Sequence, residues 1–181
     1  MTSSSRSLAA EFLGSALLAA VVIGSGVAAQ RLSPNDTGLQ LLQNAFATAL
    51  ALPVLILVFA SLSGAHFNPV VSLVDVGLGG RSWRTVAGYV PAQILGCIGG
   101  AILANLMFDA PAVSWSTSDR LTPAHFLAEL VATAGLVLVI FALARSGRLE
   151  CGAGGRAADR DTARGDRRDQ TRSVCRLRRF A

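Results

Sequence analysis

Residues 63–76 combine residue types that could guide a small polar solute. The segment begins Ser63-Gly64-Ala65-His66-Phe67-Asn68-Pro69-Val70 and continues to Val76. Asn68 suits a helix N-cap and Pro69 the first turn, so a half-helix of about two turns is predicted over Val70–Val76. The segment is too short to cross a membrane and too apolar for an exposed loop, which indicates a re-entrant segment. Since non-helical backbone at membrane depth must pack in protein or line a watery cavity, we predict a pore.

Two carboxylates could satisfy the backbone of this segment. Glu11 and Glu129 each lie about one turn inside an apolar stretch, where a carboxylate is costly unless it is bonded. The N–H groups of Gly64–Phe67 need such acceptors; the alternative is that both glutamates reach a membrane interface. Their settings match, Ala10-Glu11-Phe12-Leu13-Gly14 and Ala128-Glu129-Leu130-Val131-Ala132-Thr133. Matching motifs in spans that enter from opposite sides indicate an inverted repeat, which is typical of transporters and channels.

The elements that position these residues are predicted to be membrane helices. With 52% hydrophobic and 15% charged residues and a mean hydropathy of +0.52, the 181-residue chain is too apolar for a soluble fold of its size. Four stretches are long enough to span a bilayer: Leu8–Ala29, Leu39–Leu62, Val86–Phe108 and Leu121–Ala144. The predicted fold is an all-α membrane protein over residues 8–144, with four transmembrane helices and the re-entrant half-helix at 63–76.

The arginines predict how the helices are oriented. All 16 basic residues are arginine, and the net charge of +5 comes from residues 146–181, which hold ten arginines and five acids. With both termini in the cytoplasm, the tail and most arginines of the body lie inside, namely Arg6, Arg81, Arg84 and Arg145. We therefore expect a multi-pass protein of the plasma membrane or cell inner membrane. The pI near 10.4 describes the tail, and it argues against a nucleic-acid partner for the membrane body.

The motifs resemble those of the aquaporins, also called major intrinsic proteins, over roughly residues 6–145. Ser63-Gly64-Ala65-His66-Phe67-Asn68-Pro69-Val70 is similar to the family's first Asn-Pro-Ala loop. Supporting matches are Ala10-Glu11-x-x-Gly14, Gly88-Tyr89-x-x-Ala92-Gln93-x-x-Gly96, and the pairing of Glu129 with Thr133. The resemblance implies an aquaporin-like fold, incomplete here, and passive passage of water or small neutral solutes, namely glycerol and neutral metalloid acids.

The resemblance also implies roles for individual residues and partners. Asn68 would be the pore donor, with Pro69 as its cap partner, and the carbonyls of Gly64, Ala65 and His66 would form an acceptor ladder. Glu11, Gln93 and Glu129 would hold re-entrant backbone in place. The resemblance further implies a homo-oligomer, a tetramer, in the lipid bilayer. No cofactor, metal or nucleic acid is implied.

Three positions depart from the family's pattern or bear on its selectivity. Val70 replaces the alanine of Asn-Pro-Ala and adds bulk where two half-helices would meet. Pro91 lies inside the third span, where a proline removes a helical hydrogen bond and is expected to kink the helix. Thr48 occupies the second-span filter position, where strict water channels carry a bulky aromatic, so we expect a wider filter. The alternative is that Thr48 faces a neighbouring helix.

After Ala144 no further apolar span and no second Asn-Pro-Ala follow. Residues 146–181 lack helical or strand periodicity, and we predict a disordered Arg-rich tail. We favour a reading-frame shift near 148–152 over a genuine basic tail. The alternative functions are a truncated family member that does not conduct, which we expect of this chain unless two copies pair, and a four-helix membrane protein acting through its tail.

No enzyme is predicted. The histidines are His66 and His125, and no set of nucleophile, base and acid accompanies them. The cysteines Cys97, Cys151 and Cys175 have no metal-type spacing.

Overall fold

A computed structural model describes residues 3–113 and 122–145 of the chain. Over these residues the protein is all-helical, and its five helices are α1 (Ser3–Leu32), α2 (Thr37–Ser63), α3 (Pro69–Gly77), α4 (Trp83–Met107) and α5 (Pro123–Arg145). The four long helices are apolar and long enough to cross a membrane, and the short α3 lies between the second and third of them. The predicted fold class is therefore confirmed. The predicted tail, 146–181, lies outside the described residues.

Local capping explains where the helices begin and end. Asp36 precedes α2, and its side chain accepts a hydrogen bond from the Leu39 N–H at 2.9 Å. The α2 helix ends where Gly64 takes a left-handed conformation, with φ of 94°, and its N–H donates to the Ala60 carbonyl at 2.9 Å. Ser82 caps the start of α4, and α4 continues through Pro91. The glycine at the end of α2 thus lets the chain leave the helix abruptly and start the re-entrant segment.

Close contact between α1 and α4 organises the described body. A Cβ atom on Gly96 or Gly100 of α4 would overlap the backbone of Phe12 or Ala16 in α1, so the two helix backbones approach closely only because these positions are glycine. At the far end of the same pair, the Arg31 guanidinium bonds the Phe108 carbonyl and lies 5.4 Å from the Phe108 ring centroid. The contact places polar groups of the two helices opposite each other inside the protein.

The remaining helices pack less extensively. Helix α2 packs on α1, whereas α3 packs on α4 through a face that buries Val71 and Ser72. Helix α5 contacts only α3 among the described elements, and none of its described side chains is buried. Large apolar side chains on α2 and α5 are exposed, as is expected where a helix faces lipid.

The α1–α4 contact predicts different responses from two adjacent glycines. A Cβ on Gly100 meets the Ala16 backbone, whereas a Cβ on Gly99 comes no closer than 4.0 Å to the Phe12 ring. We expect Gly100→Ala to destabilise the protein by about 1–3 kcal/mol, because the helices must separate, and to lower its thermal midpoint by about 3 °C or more. Gly99→Ala is the matched control. Thermal unfolding in detergent measures both, and equal midpoints would contradict the close approach.

Candidate functional site

The segment between α2 and α3 has a strained backbone. Ala65 and Phe67 have positive φ angles of 53° and 50° and follow the left-handed Gly64. Each such non-glycine residue costs about 1 kcal/mol or more, so surrounding contacts must hold the segment. The Phe67 ring supplies one of them, since it is buried, packs edge-on to Phe59 with centroids 5.8 Å apart, and fills space that only a glycine at position 14 leaves free.

Every N–H group of residues 64–67 is hydrogen-bonded within the protein. Gly64 donates to the Ala60 carbonyl, as described above, and Ala65 donates to the Ser63 Oγ at 3.1 Å. The N–H groups of His66 and Phe67 donate to the two carboxylate oxygens of Glu11, at 3.1 Å and 2.8 Å respectively. The strained conformation therefore leaves no donor of this segment unsatisfied.

Glu11 is the centre of this arrangement and is 0% exposed. Besides the two backbone donors, its Oε1 accepts from the Ser63 hydroxyl at 2.5 Å and its Oε2 from the Gln93 Nε2 at 2.7 Å. Each oxygen thus receives two hydrogen bonds, and all four partners donate. Such satisfaction is what makes a buried carboxylate tolerable in a helix that crosses a membrane.

Gln93 links Glu11 to the half-helix α3. Its Nε2 also donates to the Ser72 Oγ at 3.0 Å, and the Ser72 Oγ lies 3.0 Å from the Nδ1 of His66. The Ser72 oxygen accepts from Gln93, and the Ser72 hydroxyl also hydrogen-bonds the His66 Nδ1. Helices α1, α3 and α4 are thereby joined by buried polar side chains beneath the re-entrant segment.

The carbonyl groups of Gly64, Ala65 and His66 differ from the N–H groups in their hydrogen bonding. No hydrogen bond from residues 3–113 or 122–145 reaches any of the three carbonyl oxygens. The segment therefore has its donors occupied and its acceptors available. Such a row can accept hydrogen bonds from hydroxyl groups of a small solute.

Asn68 and Pro69 stand at the start of α3. The Asn68 Oδ1 accepts from the Val70 N–H at 2.8 Å, so the side chain caps the helix, and Pro69 occupies the first turn. The amide nitrogen Nδ2 of Asn68 donates to none of the described residues, and the side chain is half-buried. Val70 is 41% exposed. The capping bond orients Asn68 with its amide donor available at the positive end of α3.

Thr48 and Glu129, which the sequence analysis also singled out, lie on the long helices α2 and α5. Thr48 is half-buried in α2, and its hydroxyl donates to the Asn44 carbonyl one turn earlier at 2.9 Å. Glu129 is exposed on α5; of the two glutamates, Glu11 is the one that accepts hydrogen bonds from the Gly64–Phe67 backbone. Within that same part of the chain, no cluster of three or more His, Cys, Asp or Glu residues could hold a metal ion.

Sequence reasoning missed several residues that complete the site. Ser63, Ser72 and the hydroxyl of Tyr89 are all buried and hydrogen-bonded around the re-entrant segment. Ser72 could have been found from the sequence, because it is a polar residue within a short apolar half-helix. Ser63 and Tyr89 stand inside motifs quoted above, but their roles were not predicted, because these depend on which helix lies opposite.

Comparison with known proteins identifies a family. The Major intrinsic protein family model matches residues 1–155. The aquaglyceroporin AqpS of Rhizobium meliloti is 47% identical over 137 residues, covering 76% of this chain and 58% of the relative. The glycerol uptake facilitator protein of Streptococcus pneumoniae R6 is 32% identical, covering 74% of this chain and 62% of the relative, and a probable glycerol uptake facilitator of Thermotoga maritima is 30% identical with the same coverage. The chain thus spans about three fifths of the length of these relatives.

The bonding of Glu11 predicts a large effect of a nearly isosteric change. In Glu11→Gln one acceptor oxygen becomes an NH₂ group facing two donors, and each buried donor left unpaired costs about 1–3 kcal/mol. We expect a lower thermal midpoint and faster hydrogen exchange in a peptide that spans Gly64–Phe67. Glu129→Gln makes the same change at an exposed carboxylate and serves as the control. Indistinguishable behaviour of the two variants would mean that Glu11 does not hold the segment.

Proposed function

This chain belongs to the major intrinsic protein family, and we propose that it forms part of a passive channel for water and small neutral solutes. Members of this family are channels rather than enzymes. The four apolar helices and the family match make the chain a multi-pass membrane protein. Since the relatives are longer than the region they share with this chain, the proposal concerns the pore-lining part that residues 63–76 supply.

The observation that carries the proposal is the pairing pattern of residues 64–67. Four N–H groups are bonded to protein acceptors, whereas the carbonyls of Gly64, Ala65 and His66 remain available. A water molecule or an alcohol can donate to these carbonyls in turn and so replace bonds lost on leaving bulk water. Asn68, at the N-terminus of α3, offers the complementary donor, and the positive helix end there disfavours cations.

The proposed solutes include glycerol-sized molecules. Curated relatives named aquaglyceroporin and glycerol uptake facilitator support this class. Thr48, at the expected filter position, is small, and its hydroxyl is already bonded to its own helix, which supports a filter wider than one lined by an aromatic ring. Neutral metalloid acids carry the same hydroxyl donors and fall in the same proposed class.

We further propose that the end of the bundle that carries Arg6, Arg81 and Arg84 faces the cytoplasm. The Ser7 hydroxyl donates to the Leu62 carbonyl at 2.7 Å, so the start of α1 lies beside the end of α2. Tyr89 near the start of α4 bonds the Ser63 carbonyl, which brings that helix end to the same level. The positive-inside rule then favours this end as cytoplasmic.

The orientation can be measured with reporters that are active only outside the cytoplasm. Fusions in the α1–α2 loop at Asn35 and after α4 at Asp109 are expected to be active, whereas a fusion in the α3–α4 turn at Gly79 is expected to be inactive. Activity from Gly79 with silence from Asn35 would reverse the orientation.

The channel proposal is tested by solute flux into vesicles. The full chain is reconstituted alone and together with the remaining part of the Rhizobium meliloti relative, and water and glycerol entry are followed by light scattering. We expect the complemented chain to conduct both solutes well above protein-free vesicles. Asn68→Asp should reduce flux at least about tenfold, because it replaces the amide donor with a charged acceptor. Asn35→Asp, in an exposed loop, is the control.

The same assay contains the outcomes that contradict the proposal. Absence of flux from the complemented chain would argue against a pore. Flux that survives Asn68→Asp would exclude Asn68 from the path, and water entry without glycerol entry would exclude the wider filter at Thr48. Flux from the uncomplemented chain would overturn the expectation that one copy alone conducts poorly.

A further inference from the structure

Arg81, in the turn between α3 and α4, reaches both ends of the re-entrant segment and the neighbouring helix α4. Its Nη1 donates to the Tyr89 hydroxyl at 3.1 Å, and its Nε lies 3.9 Å from Asp75 Oδ2. Its Nη2 fills the space beside Gly64, where a Cβ atom would lie only 2.5 Å away. One guanidinium therefore contacts the entry of the segment at Gly64, its exit at Asp75 and the supporting helix α4.

The Tyr89 hydroxyl transmits the contact of Arg81 to the backbone of the segment. Arg81 can only donate, so the tyrosine oxygen accepts from it, and the tyrosine hydrogen goes to the Ser63 carbonyl at 2.8 Å. The Arg81 guanidinium also lies 5.3 Å from the centroid of the Tyr89 ring, within cation–π range. The Ser63 carbonyl precedes the available carbonyls of Gly64, Ala65 and His66, so its position determines where that row begins.

Asp75 ties the other end of the segment to the same guanidinium. Its Oδ2 lies 3.8 Å from the His66 Nε2 as well as 3.9 Å from the Arg81 Nε. A Cβ on Gly80 would overlap the Asp75 carboxylate, so a larger residue there would require this side chain to move. These ion contacts are long and partly exposed, so each contributes little by itself, and the buried Tyr89 bond carries more of the energy.

Only arginine can make these contacts together. Its planar fork places Nη1 on the Tyr89 hydroxyl, Nε toward Asp75 and Nη2 in the space beside Gly64. A lysine ammonium acts as a single point charge and cannot occupy all three places at once. Glu11 approaches residues 63–67 through α1, whereas Arg81 approaches them from the turn after α3. The two residues hold the segment from different elements of the fold.

We propose that Arg81 is a positioning residue for solute passage. Through Tyr89 and Asp75 it fixes the first carbonyls of the row formed by Gly64, Ala65 and His66, and so sets the selectivity between glycerol and water. The inference rests on the proposed channel function. It assigns a role to a residue outside the Asn68–Pro69 motif, and it predicts that loss of the guanidinium loosens the row without unfolding the α1–α4 contact.

The positional part is tested by hydrogen exchange of the full chain. In Arg81→Ala the amides of a peptide that spans Gly64–Phe67 are expected to exchange about fivefold faster, the effect of losing one hydrogen bond of ordinary strength. Tyr89→Phe, which removes only the hydroxyl, should act alike, and Arg81→Lys should give a smaller increase. Arg84→Ala removes an exposed arginine three residues away and should leave exchange unchanged. Exchange in a peptide around Gly100 should stay constant in all four.

The functional part is tested by the ratio of glycerol to water flux in vesicles that carry the full chain and its complement. Arg81→Ala and Tyr89→Phe should change this ratio at least about twofold, Arg81→Lys should restore part of it, and Arg84→Ala should leave it unchanged. Unaltered exchange in Arg81→Ala would overturn the inference. Faster exchange with an unaltered ratio would also overturn it, since Arg81 would then only stabilise the fold. Absence of flux from the unsubstituted protein would contradict the channel proposal, while the exchange comparison would still decide whether Arg81 holds the segment.

Discussion

The structure depends on satisfying backbone N–H groups that leave a helix where little water is available. Glu11 does this for His66 and Phe67, and it is itself satisfied by Ser63 and Gln93. A carboxylate in this position is tolerable only because four donors surround it. The close packing of α1 on α4 at Gly96 and Gly100 brings Glu11 and Gln93 together. The small residues of α4 thus permit the polar contact made further along the same pair of helices.

The same arrangement separates donors from acceptors along one short stretch of chain. Positive φ angles at Ala65 and Phe67 accompany N–H groups bonded to protein, while the carbonyls of Gly64, Ala65 and His66 stay available. The strain is offset by burial of the Phe67 ring and by the Glu11 bonds. A strained backbone held by its surroundings is typical of functional sites, and here it accompanies three carbonyls that no described residue bonds.

Polar contacts around the segment differ in strength with depth. The bonds of Glu11, Gln93 and Ser72 are short and buried, whereas the contacts of Asp75 with His66 and Arg81 are near 4 Å and partly exposed. The buried set therefore defines the path of the backbone. The outer contacts are longer and more exposed, so each contributes less to stability.

The sequence alone determined the features that depend on neighbours along the chain. Apolar length predicted four membrane helices, and Asn68-Pro69 predicted the start of α3, because hydropathy and capping are local properties. The sequence also marked Glu11 as a buried acid in need of partners. Only the tertiary structure decided which partners it has, since Ser63, His66, Phe67 and Gln93 lie 52 to 82 positions away. The tertiary structure also decided that Glu129 is exposed and that Arg81 contacts Tyr89 and Gly64. These contacts depend on how the helices pack, which no local sequence pattern encodes.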